Sequence, residues 1–596
     1  MITAGVSLGH TSYGKPLKDG GACIAEDGRI VAAIAEDRLT RRKHDGGYQE
    51  SLATLLRAFG LTLDDIDAIV VSSCCDTALG TQQVALQDFG QLARPQRIIR
   101  VGHHASHAAS TFYTSPFDEA VVVVIDAGGD VLSGDPSQWW TAVREQHSYY
   151  VGRGDELALI GRDFTRPKEA GFGEVFRAFT YFLGWPSHVH SEKVMALAAY
   201  GEERRFPRSM FNLKVGRLES AARVQSPEDP FELVRQTYAL LGVKTPNPRR
   251  PTEPFESEHA DMASFVQRSL REALAAKVQE LIETTGIRNV CLAGGVALNC
   301  LANGYLLEHT DVEQLYIQPA AGDHGQCLGN ALMGTQMLGG RLRSKGIFDP
   351  YLGPPIAAMP PCSTDNRLVV SSGRDAIKVA AALLARGDIL AWYSGRSEFG
   401  PRALGGRSIL AHPQLQASAD RIRTIKGRPT FCPFAPSILA SEASKVFSIY
   451  ENCHYMTMAV QVVPEWRSCI AATVHVDGTA RVHVVPDQNN SPYHQLLTAF
   501  FDITGLPVVL NTSLNLDAEP IVETPGQAWQ LFMHSDIDAL YLDGVLFAKR
   551  EYFIDRPVGG CTRDPANRPK LRQASIASVP RQAGCGGLAE LPHPRR

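Results

Sequence analysis

The chain has 596 residues, 44% of them hydrophobic and 20% charged, with a formal net charge of −4. That length exceeds one compact core and predicts about two to four folded domains. No basic block appears, which disfavours a nucleic-acid footprint and points to small-molecule substrates.

The opening stretch MITAGVSLGHTSYG has no charged segment leading into an apolar core, and no apolar run approaches membrane-spanning length. A cytoplasmic protein without membrane contact is expected. The 12 cysteines are scattered, and Cys74 and Cys75 lack a second pair, so buried, reduced thiols are expected rather than a zinc ribbon or a disulfide framework.

In chain order, GACIAEDGRIVAAIAEDR reads as a hairpin turning at Asp27-Gly28, SLATLLRAFG as an amphipathic helix, and IDAIVVSS as a strand. Near residue 100 comes HHASHAASTF. His103 and His107 are four apart and share one helix face, where they can hold a metal ion; His104 points elsewhere. The β-branched run VVVVI predicts a strand buried on both faces, ending at Asp126 in a glycine turn, the strand end at which open α/β sheets place ligands. Taken singly, each of these residues is better read as a surface or capping histidine or a turn aspartate. Together they favour a metal.

SFVQRSLREALAAKVQELIETTG predicts a long helix closed by glycine, and NVCLAGG a strand. Gly294 and Gly295 follow it and open a helix, which favours an anion such as phosphate, although packing alone also explains a Gly-Gly turn. PAAGDHGQCLGNALMG repeats the arrangement around Asp323. Two imidazoles and two carboxylates suit Fe(II), Mn(II) or Zn(II), and the missing HExxH glutamate disfavours peptide hydrolysis.

A proline- and glycine-rich stretch, residues 351–373, reads as a linker between a first unit, 1–350, and a second, 374–556; residues 557–596 are polar and aperiodic and are expected to be disordered. No solenoid repeat is evident. In the second unit, Arg396, Arg402 and Arg407 fall among glycines, followed by Lys426 and Arg428, then Arg481 beside a hairpin turn, and Asn511 and Ser513 after a strand. Spaced cations on shaped loops can clamp phosphates; a solvated charge run is the alternative.

The segments HHASHAASTF, DAGGD, KVMALAAYG, GGVALNCLAN and AGDHGQCLGNAL, followed by EFGPRALGGRSI, PFAPS, HVDGTAR and LNTSLN, resemble the NodU/TobZ-type carbamoyltransferases over about residues 1 to 555. The resemblance implies an α/β protein with a two-lobed ASKHA-type N-terminal domain, similar to the tRNA threonylcarbamoyl-transferring protein, and a YrdC-like α/β domain. It further implies ATP and carbamoyl phosphate as co-substrates, a divalent metal, usually iron, held by His103, His107, Asp126 and Asp323, and adenosine at Gly294, Gly295 and Asn299. The acceptor is then a small hydroxylated natural product; a homodimer is allowed.

Three departures stand out. Cys432 replaces an arginine ahead of PFAP, Glu192 replaces the glycine before the lysine of KVM, and polar residues follow His10 in GHTSYGKPLKDGGA. His10 is the candidate base, with Arg402 and Arg481 as candidate catalytic cations. The rival readings are a tRNA threonylcarbamoyl-type enzyme and a nucleotide-binding regulator without transfer activity.

Overall fold

The computed structural model describes residues 1–549, apart from 91–96, 139–140, 167–168, 204–205, 207–208, 215–216, 221–228, 230, 343–345, 357–367, 450, 452 and 488–490. The expected tail, 557–596, and the middle of the expected linker lie outside the described residues.

The N-terminal lobe is a five-stranded sheet: β1 (Ile2–Ser7), β2 (Gly21–Glu26), β3 (Arg29–Ala35), β4 (Ala68–Ser72) and β5 (Ile98–Arg100), in the order β3-β2-β1-β4-β5. The β2–β3 hairpin turns at Asp27 and Gly28, both at positive φ (48° and 75°), as its Asp-Gly dipeptide predicts. Helix α1 (His103–Phe112) leads into the second sheet. That sheet contains β6 (Glu119–Ile125), β7 (Val131–Ser133), β8 (Val143–Arg153) and β9 (Glu156–Thr165).

After α2 (Ser191–Ala198) and the long α3 (Ser257–Thr285), β10 (Asn289–Ala293) joins the second sheet; α4 (Cys300–His309) and β11 (Gln314–Ile317) follow, and α5 (Gln326–Met337) closes the second lobe. The path β9-β8-β6-β10-β11 repeats the order and strand directions of the first sheet: an antiparallel meander with two parallel strands beside its first member. The two lobes are thus one duplicated topology, the two-lobed ASKHA-type arrangement.

This duplication positions the site. Helices α1 and α5 each follow the fifth strand of a sheet, and they cross so closely that a Cβ on Gly329 would lie 2.0 Å from the Ser106 carbonyl oxygen. Ser106 Oγ donates to Asn330 Oδ1 at 2.7 Å across the crossing. Strand β6 is buried on both faces, with Val121, Val123 and Ile125 in one core cluster and Val122 and Val124 in another. Its C-terminal end therefore opens between the N-terminal ends of the two crossed helices.

The C-terminal unit is built on an eight-stranded mixed sheet. Its strands are β12 (Leu368–Ser372), β13 (Leu390–Tyr393), β14 (Arg407–Ala411), β15 (Ala435–Leu439), β18 (His483–Val485), β19 (Val508–Ser513), β20 (Ala539–Leu542) and β21 (Val545–Lys549), ordered β12-β21-β20-β13-β14-β19-β15-β18. The short strands β16 (Ala459–Gln461) and β17 (Thr479–Arg481) pair separately. Helices α6 (Arg374–Ala385) and α8 (Pro492–Thr504) pack on one face of the large sheet and α7 (Gln416–Lys426) on the other.

The C-terminal unit meets the lobes through main-chain contacts that small residues permit. A Cβ on Gly304 of α4 would lie 1.9 Å from the Ala459 carbonyl oxygen. Arg41 donates to the Pro520 and Ile521 carbonyls, and Arg38 to those of Glu398 and Gly400.

Candidate active site

The helix spacing of His103 and His107 turns both side chains toward the end of β6, where Asp126 meets Asp323 from the turn ahead of α5. His103 Nε2 lies 2.9 Å from Asp126 Oδ2 and 3.7 Å from Asp323 Oδ1; His107 Nε2 lies 3.7 and 3.2 Å from the same two atoms. One ligand atom from each of the four residues falls within 4.8 Å of the others. Both imidazoles are fully buried.

The surrounding contacts orient these groups. His103 Nδ1 is 3.1 Å from the Ser73 carbonyl oxygen, an acceptor that keeps an N–H there; in the metal-free protein Nε2–H donates to Asp126, and loss of that proton leaves the Nε2 lone pair facing the carboxylates. The Gly295 amide donates to Asp126 Oδ1 at 3.2 Å. Burial by itself lowers the pKa of His103, but the hydrogen bond to Asp126 and the charges of Asp323, Asp126 and Asp130 outweigh it and push the value up to about 10. Burial raises that of Asp126, and the His103 hydrogen bond and charge hold it well below the carboxylate range. Imidazoles and carboxylates without thiolate fit a divalent metal of intermediate or hard character.

Sequence reasoning missed Gln326. Its Nε2 donates to Asp323 Oδ1 (3.0 Å) and lies 3.2 and 3.3 Å from His103 Nδ1 and His107 Nε2, while its Oε1 accepts from Ser72 Oγ. The signal was present, three residues after Asp323 at the start of a helix.

A cavity of about 910 Å³ runs from this centre into the C-terminal unit. Asp126, Asp323, Gly295 and Asn299 from the lobes and Arg402, Lys426, Arg428, Arg481, Asn511 and Ser513 from the C-terminal unit line it. Gly294, at φ 90°, sits where a Cβ would lie 2.2 Å from the Ile125 carbonyl oxygen, so only glycine lets this loop approach β6. The Asn299 side chain caps α4 through the Ala302 amide and pairs with Gln267, so its amide is already committed. Lys426 Nζ donates to Ser513 and Asn515 at 2.6 to 3.1 Å, and burial, with Arg428 and Lys43 nearby, holds its pKa well below the usual lysine value. Burial and the neighbouring Arg402 lower that of Arg481 to about 9. Asn511 donates to the Ala403 carbonyl and Ser437 Oγ.

Arg396, Arg407 and His10 stand apart from the cavity wall. Arg396 donates to the carbonyls of Val31, Leu352 and Gly353, tying the C-terminal unit to the first lobe. Arg407, 1% exposed, donates to the carbonyls of Ser394, Gly395, Gly406 and Glu523 and stacks 3.5 Å above the centre of the Tyr393 ring. Spacing along a glycine loop does not tell which arginines turn inward to brace it. His10 is bridged to Pro16, its Nδ1 3.1 Å from the Thr11 carbonyl oxygen. The cavity wall instead carries His44, whose Nδ1 lies 2.7 Å from Asp19 Oδ1, with His324 Nε2 3.3 Å from that oxygen. Asp19 and His44 both adopt left-handed φ (58° and 61°), a conformation that non-glycine residues keep where the surroundings enforce it.

Two family models, described as carbamoyltransferase N-terminus and carbamoyltransferase C-terminus, match residues 11–85 together with 76–332, and residues 381–549. The chain belongs to the carbamoyltransferase family. It is 32% identical over 567 residues to Nodulation protein NolNO of Sinorhizobium fredii, covering 90% of this chain and 79% of that protein. It is 35% identical over 460 residues to Nodulation protein NolO of Bradyrhizobium diazoefficiens, covering 76% and 79%. An uncharacterized protein of Synechocystis, sll1178, is 31% identical over 623 residues, covering 91% and 96%. The carbamoyltransferase therefore carries both matched regions on one cavity. Among its described residues no helix is long and apolar enough to cross a membrane.

Proposed function

We propose that this carbamoyltransferase forms carbamoyl-adenylate from ATP and carbamoyl phosphate at the arginine-lined end of the cavity, and transfers the carbamoyl group to a hydroxyl of a small natural product beside the four-residue centre. The observation that carries the reading is the continuous cavity with both residue sets on its wall. A labile adenylate passed along such a space stays away from bulk water.

In the first half-reaction Arg402, Arg428 and Arg481 hold the phosphates and stabilise charge developing on their oxygens. Water releases phosphate from carbamoyl phosphate, a carbamate oxygen attacks the α-phosphorus of ATP, and pyrophosphate leaves. In the second, the acceptor hydroxyl attacks the carbamoyl carbon and AMP leaves. A divalent metal bound by His103, His107, Asp126 and Asp323, with iron implied by the family resemblance, would supply Lewis acidity toward the carbamoyl or phosphate oxygen.

The acceptor proton needs a base. His44 lines the cavity, and an Nδ1–H donated to Asp19 leaves its Nε2 free to accept; this supports His44 over His10, which stands apart from the cavity wall. Purified protein given ATP, carbamoyl phosphate and a panel of hydroxylated metabolites should release pyrophosphate and yield a product heavier by one carbamoyl group. No pyrophosphate release with carbamoyl phosphate present would refute the adenylate reading.

A further inference from the structure

The cation cluster contains an acid. Glu192, in the first turn of α2, reaches across the cavity so that its Oε2 lies 3.3 Å from Arg402 Nη1 on the C-terminal unit. Arg402 is its one hydrogen-bond donor among the described residues, and the Glu192 side chain keeps 49% of its surface open to the cavity. The carboxylate is therefore held by charge more than by packing. Burial would raise its pKa, but Arg402, Arg428, Arg481 and Lys43 draw it down to about 2. Arg481 is close enough to contribute to that field, yet its Nε has no hydrogen-bond partner among the described residues. The cluster thus holds unused donor capacity around a loosely tethered anion.

Cys432 lies at the same place. It is buried on the cavity wall beside Arg428, at a position where the family resemblance implies an arginine. The two sequence departures converge, one removing a cation and the other adding an anion. Grouped guanidiniums with reduced access to water are costly to leave uncompensated. A carboxylate answers that cost, and it must also yield to any ligand that needs the same donors.

We propose that Glu192 is an internal counterion that occupies the anion position of the Arg402–Arg428–Arg481 cluster in the substrate-free enzyme and is displaced by an incoming phosphate group, thereby setting how tightly this site holds phosphate-bearing ligands. The phosphate belongs to carbamoyl phosphate or to ATP, an assignment that rests on the proposed function. The competition between carboxylate and phosphate does not.

The test is calorimetric titration of the full chain with inorganic phosphate, carbamoyl phosphate and ATP in turn, comparing the wild type with Glu192→Gln and Glu192→Gly. Removing the competing charge should lower the Kd for inorganic phosphate about tenfold in both variants, with unchanged metal content and a thermal midpoint within about 3 °C of the wild type, as expected for losing one partly exposed ion pair. Whichever of carbamoyl phosphate and ATP gains in parallel identifies the source of the phosphate. An unchanged or weaker phosphate Kd in the folded variants overturns the proposal, because Glu192 would then serve as an acceptor for a ligand's donor group. Tighter phosphate binding in a protein that releases no pyrophosphate would instead retain the counterion and remove the adenylate reaction.

Discussion

Replacing Arg407 by methionine tests whether this arginine braces the fold or clamps a phosphate. The substitution keeps an unbranched apolar stem and deletes donors to four main-chain carbonyls, those of Ser394, Gly395, Gly406 and Glu523. It also removes a charge 3.9 Å from the buried Glu523, whose nearest other cation, Arg38, is likewise 3.9 Å away. Breaking a buried charge pair from one side costs about 3 to 5 kcal/mol. In a unit of this size, with about 2 to 4 °C of melting temperature per kcal/mol, that is a fall on the order of 10 °C. Arg402→Met makes the same chemical change on the cavity wall, where the lost contact is one ion pair with a half-exposed Glu192, and should shift the midpoint by roughly a tenth to a third as much. Differential scanning of the two variants, paired with pyrophosphate release, separates the roles. A stable Arg407→Met protein that has lost pyrophosphate release would refute the bracing role.

His107→Ala should lower bound metal, read by elemental analysis, and abolish carbamoyl transfer while pyrophosphate release survives; unchanged metal content would remove the ligand assignment. Because His103 in the metal-free protein holds its proton up to about pH 10, and metal requires the deprotonated imidazole, the apparent metal affinity should rise about tenfold per pH unit from neutrality toward pH 10, with proton release on binding measurable by calorimetry in buffers of different ionisation enthalpy. A pH-independent affinity would contradict this. His44→Gln should lower transfer to the acceptor by about a hundredfold while sparing adenylate formation, whereas His10→Gln should affect transfer much less; the reverse order would return the base to His10. Exchanging residues 12–18 for a shorter loop, which leaves Asp19 beside His44, should alter acceptor KM with pyrophosphate release intact, and a loss of the adenylate step would assign that loop another role.

Local signals in the sequence were sufficient for the elements and for the four ligand candidates. The Asp-Gly turn, the doubly apolar VVVVI strand and the four-residue histidine spacing depend on backbone sterics, burial and helical period, all of which act over a few residues. The ordered motifs also carried the family. What the sequence concealed was everything set by non-local approach. The lobe duplication left no visible repeat, because the two sheets share strand order and direction rather than side chains. Gln326 joined the four-residue cluster only when α1 and α5 crossed. The arginines divided by which side of a folded loop they faced: Arg402, Arg428 and Arg481 toward the cavity, Arg396 and Arg407 into the scaffold. Glu192 was a mere departure from a pattern until the tertiary structure carried it across the cavity to Arg402, because the strength of a charge pair depends on distance and burial in space, which separation along the chain does not encode.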